Sequence, residues 1–142
     1  MPSISERFAE RRSEGRATLV PYVTSGFPSR SATVDVLAAL AEAGGDVLEL
    51  GIPFSDPLAD GQTIQDSTFR ALQGGMTVEG TLEVLAEFRR GSDAPIVLFS
   101  YLNPLLRYGL AAFLSDAEQA GAQGLLLTDV PTGADPQVED AI

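Results

Sequence analysis

Short apolar runs alternate with segments of helical periodicity along this chain, and the alternation limits the folds open to it. The runs begin near residues 18, 46, 95 and 124. They lack regular polar alternation, which is typical of parallel strands covered by helices. Two of the three intervals are close to the roughly 30 residues of one βαβ unit, and the longer one leaves room for two helices. The sequence therefore predicts an α/β fold with a parallel sheet.

The predicted elements can be placed by periodicity and by Gly, Pro and capping residues. The predicted strands cover residues 18–24, 46–50, 95–101 and 124–128. The predicted helices cover residues 4–13, 31–43, 62–73, 78–90 and 109–120. Asn103 and Pro104 are interpreted as a turn, and a polar, acidic tail follows Pro131.

Four βα units fit two architectures. A small doubly wound sheet is complete with four or five strands. A (β/α)8 barrel needs eight strands and about 250 residues, so the 142 residues would form its first half. Strand spacing alone does not distinguish the two.

Three missing residue types restrict the chemistry. The chain has no Cys, no His and no Lys, and all nine basic residues are Arg. Thiolate chemistry, a Ser-His-Asp triad and a Schiff base are therefore excluded, and no metal site is expected. Proton transfer must depend on carboxylates, with Tyr, hydroxyl groups and backbone amides in support.

Charge and hydropathy bear on partners and location. The net charge of −11 argues against nucleic acid or an anionic membrane as a partner. The N-terminal residues carry mixed charge, and no apolar run approaches the roughly 20 residues of a membrane span. We therefore expect a cytoplasmic protein.

Glu49 is the first candidate for catalysis, because it interrupts an apolar strand. Side chains alternate along a strand, so Glu49 shares a face with Val47 and Gly51, whereas Leu48 and Leu50 take the face that suits helix packing. Glu49 is thus predicted to point away from the helices, near the carboxyl end of its strand, where a barrel has its active site. The structural alternative is a strand-end Glu that reaches solvent or pairs with an Arg.

The loop after this strand, residues 51–61, supplies further carboxylates. It contains two prolines and carries Asp56 and Asp60. As a structural residue, Asp60 would cap the helix that begins near Gln62, and Asp56 would initiate a turn before Pro57. As functional residues, Glu49 and a loop Asp would form a two-carboxylate site, with one group moving protons and the other holding a donor.

The segment LELGIPFSDPLADG, residues 48–61, closely resembles the signature of the tryptophan synthase alpha chain family. Further similarity lies in PYVTSGFP at 21–28, Ile64-Gln65, YLNP at 101–104 and DVP at 129–131. The similarity covers essentially all 142 residues. A fourteen-residue match is far more specific than a short glycine-rich motif.

The resemblance implies a (β/α)8 barrel with an extra N-terminal helix, of which residues 1–142 form the N-terminal half of a single domain. It implies retro-aldol cleavage of indole-3-glycerol phosphate to indole and glyceraldehyde 3-phosphate, without a cofactor in this chain. It also implies a beta-chain partner in an alpha2beta2 assembly. That partner carries pyridoxal phosphate and joins indole to serine.

The resemblance also assigns residues. Glu49 would be the general acid/base, and Asp60 would hold the indole N–H. The indole pocket would be lined by Tyr22, Phe99, Leu126 and Thr128, which as structural residues would be ordinary barrel core. The surface that meets the beta chain would comprise Pro53, Asp56, Pro57, Asn103, Pro104 and Pro131.

Two other functions are also consistent with the sequence. A half barrel can act as a non-catalytic module that binds a beta-type partner through the 51–61 loop. It can also belong to another phosphosugar barrel enzyme. Barrels commonly hold phosphate in loops after strands seven and eight, so the four predicted strands lack that part of a pocket, and the chain alone is expected to be inactive or nearly so.

Overall fold

The computed structural model describes all 142 residues and contains one four-stranded parallel sheet. The strands are β1 (Tyr22–Thr24), β2 (Leu48–Gly51), β3 (Ile96–Ser100) and β4 (Gly124–Leu127). The helices are α1 (Ile4–Ser13), α2 (Arg30–Glu42), α3 (Gln62–Gln73), α4 (Val78–Phe88), α5 (Leu102–Tyr108), α6 (Leu110–Ala120) and α7 (Pro136–Ala141). The strand order in the sheet is β1-β2-β3-β4, the order of the chain.

One face of the sheet carries the hydrophobic core. Helices α2, α4 and α6 pack side by side and enclose this face with apolar side chains from the strands. Leu50 and Leu98 from the strands and Leu37, Leu85 and Phe113 from the helices are all fully buried. Burial of one such side chain contributes about 1.5–3 kcal/mol, so this layer stabilises the fold. The opposite face has no comparable cover.

The N-terminal helix closes one end of the uncovered face. Ser3 caps α1 through a reciprocal capping box with Glu6, which satisfies two backbone donors at the helix start. The Gln123 side chain donates a hydrogen bond to the Pro2 carbonyl at 3.0 Å, and Ile4 lies against Gly124 at the start of β4. Helix α1 therefore lies at the amino ends of the strands, and the carboxyl ends remain open.

The first strand is shorter than predicted. The prediction of residues 18–24 is wrong for its first four residues, since β1 begins at Tyr22. The Leu19 and Pro21 carbonyls still accept hydrogen bonds from Asp46 and Glu49. Pro21 has no N–H to donate, so the ladder is interrupted there.

Asn103 and Pro104 do not form the predicted turn. Both lie in the first turn of α5, where backbone N–H groups need no intrahelical acceptor and a proline is tolerated. Gly109, with φ of 101°, separates α5 from α6. The other predicted helices and strands agree with the structure to within about two residues, and the acidic tail contains the short helix α7.

No helix combines the length and apolar character needed to cross a bilayer. The longest helix, α2, has 13 residues.

Candidate functional site

The uncovered face of the sheet, near the carboxyl ends of the strands, brings the candidate residues together. Because all four strands are parallel, the loops that follow them lie at the same edge. The register aligns two rows of residues across this face. The first row is Tyr22, Glu49, Val97 and Gly124, and the second is Thr24, Gly51, Phe99 and Leu126. We call this surface the open face.

Glu49 lies on the open face, as the alternation predicts. Its neighbours on β2, Leu48 and Leu50, are fully buried against the helices, while Glu49 is half-buried. Tyr22 and Val97 are its partners on the adjacent strands. The carboxylate makes no side-chain hydrogen bond and no ion pair, so it is free to exchange protons with a bound molecule.

Asp60 lies at the end of the loop after β2 and is half-buried. Its backbone is held from two sides, because its amide donates to the Pro57 carbonyl at 3.0 Å and its carbonyl accepts from the Gln65 side chain at 2.8 Å. The helix-cap alternative for Asp60 is wrong. Gly61 occupies the cap position of α3 and provides no side-chain hydrogen bond. The Asp60 carboxylate is therefore not used in capping.

The charges of both Glu49 and Asp60 act on the hydroxyl of Tyr22. Burial raises the pKa of its hydroxyl above the ordinary value of 10.0, the hydrogen bond with Thr24 partly opposes this rise, and the negative charges of Asp60 and Glu49 add smaller increases. The Tyr22 ring meets the Phe99 ring edge to face, with centroids 5.4 Å apart. Two carboxylates thus act on one hydroxyl beside a pair of aromatic rings.

The remaining predicted pocket residues lie on the β4 side. Leu126 is opposite Phe99 in the register and is 39% exposed, because β4 is the edge strand of the sheet. The Thr128 amide donates to the Ser100 carbonyl at 3.1 Å, which extends the strand pairing by one residue. Tyr22, Phe99, Leu126 and Thr128 therefore border one surface with Glu49.

The sequence prediction omitted Tyr101, which reaches the same area. Its side chain is 5% exposed, and its hydroxyl accepts a hydrogen bond from the Ala59 amide at 2.9 Å. Burial raises the pKa of Tyr101, and the charge of Asp60 adds to this effect. The signal was in the sequence, because Tyr101 follows Phe99 by two residues and so continues the same face.

The six residues assigned to a partner surface lie in the loops and helix that follow β2, β3 and β4. Asp56, Asn103 and Pro131 are exposed, and Pro57 and Pro104 are half-buried. Pro53 is buried, so its side chain is not itself an exposed surface. Pro53 and Pro104 line a cavity of about 590 Å³ between the loop and α5. The Leu102 amide donates a hydrogen bond to the Asp129 carboxylate at 2.9 Å, which joins the segments that follow β3 and β4.

The open face offers no set of side chains suited to a resident metal. No group of three or more Asp, Glu, His or Cys residues could hold an ion. The chemistry available to this surface is proton transfer by a carboxylate, hydrogen bonding by a second carboxylate and two tyrosines, and apolar contact.

Comparison with known proteins identifies the family. The model of the tryptophan synthase alpha chain family matches residues 8–142. The chain belongs to the tryptophan synthase alpha chain family. A tryptophan synthase alpha chain from Phenylobacterium zucineum (strain HLK1) is 46% identical over 140 residues, which is 98% of this chain and 50% of that protein.

Solved structures of tryptophan synthase agree with this assignment. The subunit alpha from Legionella pneumophila str. Paris superposes with a TM-score of 0.94 at 37% identity, over 99% of this chain and 54% of that one. The tryptophan synthase complex from Pyrococcus furiosus gives a TM-score of 0.83 at 42% identity, over 88% and 52%. The barrel prediction is confirmed and the doubly wound sheet is excluded. The chain spans about half the length of the relatives it matches.

Proposed function

We propose that this chain supplies the part of a tryptophan synthase alpha subunit that carries both reacting carboxylates. The reaction is retro-aldol cleavage of indole-3-glycerol phosphate to indole and glyceraldehyde 3-phosphate. The observation that carries the proposal is the unpaired, half-buried Glu49 on the open face, next to Tyr22 in the sheet register and beside the Tyr22–Phe99 ring pair, with Asp60 on the loop that follows the same strand. The family is one of lyases in tryptophan biosynthesis, which supports the same reaction.

In the proposed mechanism, Glu49 handles both protons. It donates a proton to C3 of the indole ring, which removes the aromaticity of the five-membered ring. It then takes the proton of the hydroxyl on the adjacent side-chain carbon. The carbon–carbon bond breaks, its electron pair returns to the ring, and the hydroxyl carbon becomes the aldehyde of glyceraldehyde 3-phosphate.

Asp60 holds the indole N–H in this proposal. Protonation at C3 places positive charge on the ring nitrogen, and a carboxylate beside the N–H stabilises that charge as it develops. Tyr22, Phe99 and Leu126 would contact the flat ring, and Thr128 would border its far edge. The free, half-buried state of Glu49 suits a group that changes protonation twice in one turnover.

No cofactor is required for these steps, and we propose that this chain binds none. The indole product would pass to a beta chain, whose pyridoxal phosphate supports its joining to serine. The exposed residues Asp56, Asn103 and Pro131, together with Pro57 and Pro104, would form the surface for that partner, with Pro53 beneath it. An alpha2beta2 assembly in the cytoplasm follows from the same assignment.

The experiment uses residues 1–142 joined to the C-terminal half of the Phenylobacterium zucineum relative, which we call the joined chain. The joined chain should release indole from indole-3-glycerol phosphate. Glu49→Gln should lower the rate by about a thousandfold or more, as expected when the proton-transfer group is removed. Glu42→Gln is the matched control, because Glu42 is exposed at the end of α2.

Each alternative has its own outcome in this assay. Substantial indole release by the Glu49→Gln variant would overturn the acid/base assignment. Binding of a beta chain by a folded joined chain that releases no indole would favour a non-catalytic module. Turnover of a different phosphorylated substrate would instead identify another phosphosugar barrel enzyme.

A further inference from the structure

Tyr101 stands where β3 ends and α5 begins. Its backbone is extended, with φ of −94° and ψ of 159°, and its side chain reaches toward the loop that follows β2. The ring packs against Phe54 of that loop, with centroids 5.4 Å apart and planes inclined by 41°. With 5% exposure, the side chain is held in one place by the residues around it.

The Tyr101 hydroxyl binds the loop one residue before Asp60. It accepts the Ala59 N–H at 2.9 Å. Its own proton is not used in that bond and stays available to an acceptor. The Asp60 carboxylate belongs to the next residue along the chain after Ala59. Burial raises the pKa of Tyr101, the Ala59 hydrogen bond partly opposes this rise, and the charge of Asp60 adds a smaller increase.

The segment before Asp60 has little else to hold it. Ser55, Asp56, Leu58 and Ala59 are exposed, and Leu58 is 92% exposed. The backbone hydrogen bonds from Leu58 and Asp60 are made to Asp56 and Pro57, within the loop itself. The hydrogen bonds that fix Asp60 to the rest of the fold come from Gln65, which lies on its C-terminal side, and from Tyr101 on its N-terminal side.

We propose that Tyr101 is a positioning residue that aims the Asp60 carboxylate across the open face. The hydroxyl fixes the backbone at Ala59 by accepting its proton and orients the Asp60 side chain by offering its own. This inference rests on the proposed role of Asp60 as the group that holds an indole N–H. Tyr101 would thus affect the binding of the indole N–H without contacting the reacting atoms.

The test compares two probes, indole and 1-methylindole, whose binding to the 142-residue chain is followed by NMR titration. The second probe lacks the N–H that Asp60 would hold. The unsubstituted chain should prefer indole by about tenfold, the effect of one hydrogen bond to a charged group. Tyr101→Phe keeps the ring and should reduce this preference to near unity, while the affinity for 1-methylindole stays unchanged.

A second measurement follows the loop directly. Amide hydrogen exchange at Ala59 should become about tenfold faster in Tyr101→Phe, because its acceptor is removed. Tyr108→Phe is the matched control. Tyr108 donates to Asp116 at 2.6 Å, outside the open face, so this variant should leave both the Ala59 exchange rate and the probe preference unchanged.

The outcomes separate the inference from the proposed function. Equal affinities of the unsubstituted chain for the two probes would overturn the role of Asp60, and the inference with it. An indole preference that survives in Tyr101→Phe, with unchanged exchange at Ala59, would overturn the inference alone. An equal loss of affinity for both probes would show that Tyr101 supports the shape of the surface and does not aim Asp60.

Discussion

The Tyr22 hydroxyl lies directly against the backbone of Gly51 on the neighbouring strand. A β-carbon built at position 51 would overlap this hydroxyl and would lie 2.6 Å from Cζ and 2.8 Å from Cε2 of the ring. Real β-carbons do not approach other heavy atoms so closely. The glycine at 51 therefore provides the space in which the Tyr22 ring lies beside Phe99.

Gly51→Ala is expected to destabilise the chain by about 1–3 kcal/mol, because overpacking displaces a half-buried aromatic ring. The free energy of unfolding in urea measures the effect. Gly91→Ala is the control, since a β-carbon there meets nothing within 4 Å. Adding Tyr22→Ala should relieve most of the overlap and make the two substitutions non-additive; strict additivity would contradict the proposed cause.

The three tyrosines should ionise late in the folded chain. Burial raises the pKa of Tyr22 and of Tyr101, and the hydrogen bond to Asp116 raises the pKa of Tyr108, each above the ordinary value of 10.0. Since the chain has three Tyr and no Trp, the ultraviolet absorbance of tyrosinate reports these groups alone. In denaturant the midpoint of this tyrosine titration should return to the ordinary pKa of 10.0.

The same shifts make the fold sensitive to alkali. A group whose pKa is raised on folding contributes its full stability below its unfolded pKa and loses it as the pH rises through the folded value. The free energy of unfolding should therefore decrease above about pH 10. Asp116→Asn should move only the Tyr108 part of the titration downward, and an unaltered titration in that variant would contradict the assignment.

Asp46 should account for part of the loss of folding stability at low pH. Burial alone would raise its pKa, but hydrogen bonds from the Leu19 amide at 2.9 Å and the Arg11 guanidinium at 2.5 Å outweigh burial and lower it below the ordinary 3.8. The stability from this group is present above the unfolded pKa and is lost as the pH falls through the lower folded value.

Asp46→Asn is accordingly expected to cost about 1–3 kcal/mol at neutral pH, because a buried charge-assisted hydrogen bond is removed. It should also flatten the decline in stability below pH 4. Thermal or urea unfolding across this pH range measures both effects. Asp35→Asn, at an exposed position on α2, should behave like the unsubstituted chain; a similar loss there would point to net charge as the cause.

The 142-residue chain by itself should release indole at less than about a hundredth of the rate of the joined chain. Half of the substrate's surroundings would be missing, and small losses of positioning cost about a hundredfold in rate. Leu126 on the open face is 39% exposed, so part of the surface proposed to contact the indole ring faces solvent in this chain. An indole assay on equal concentrations of the two chains is the measurement, and comparable rates would contradict the prediction.

Periodicity was enough to predict the parallel α/β architecture and most element positions, because buried strands and amphipathic helices leave clear patterns. It failed where a single residue changed the backbone, as at Pro21, which interrupts the ladder, and at Pro104, which a helix tolerates in its first turn. The direction of Glu49 followed from alternation alone. The contact between Tyr101 and Ala59 joins residues 42 positions apart, and no local pattern specifies it.

The sheet keeps its strands in the order of the chain, and this bears on how the protein forms during synthesis. Each new strand pairs with the one made just before it, so no early segment has to wait for a distant partner. The layer formed by α2 and α4 can close over β2 and β3 while later residues are still on the ribosome. The open face, by contrast, has no helix layer among residues 1–142, so Glu49 keeps contact with solvent while these strands and helices assemble.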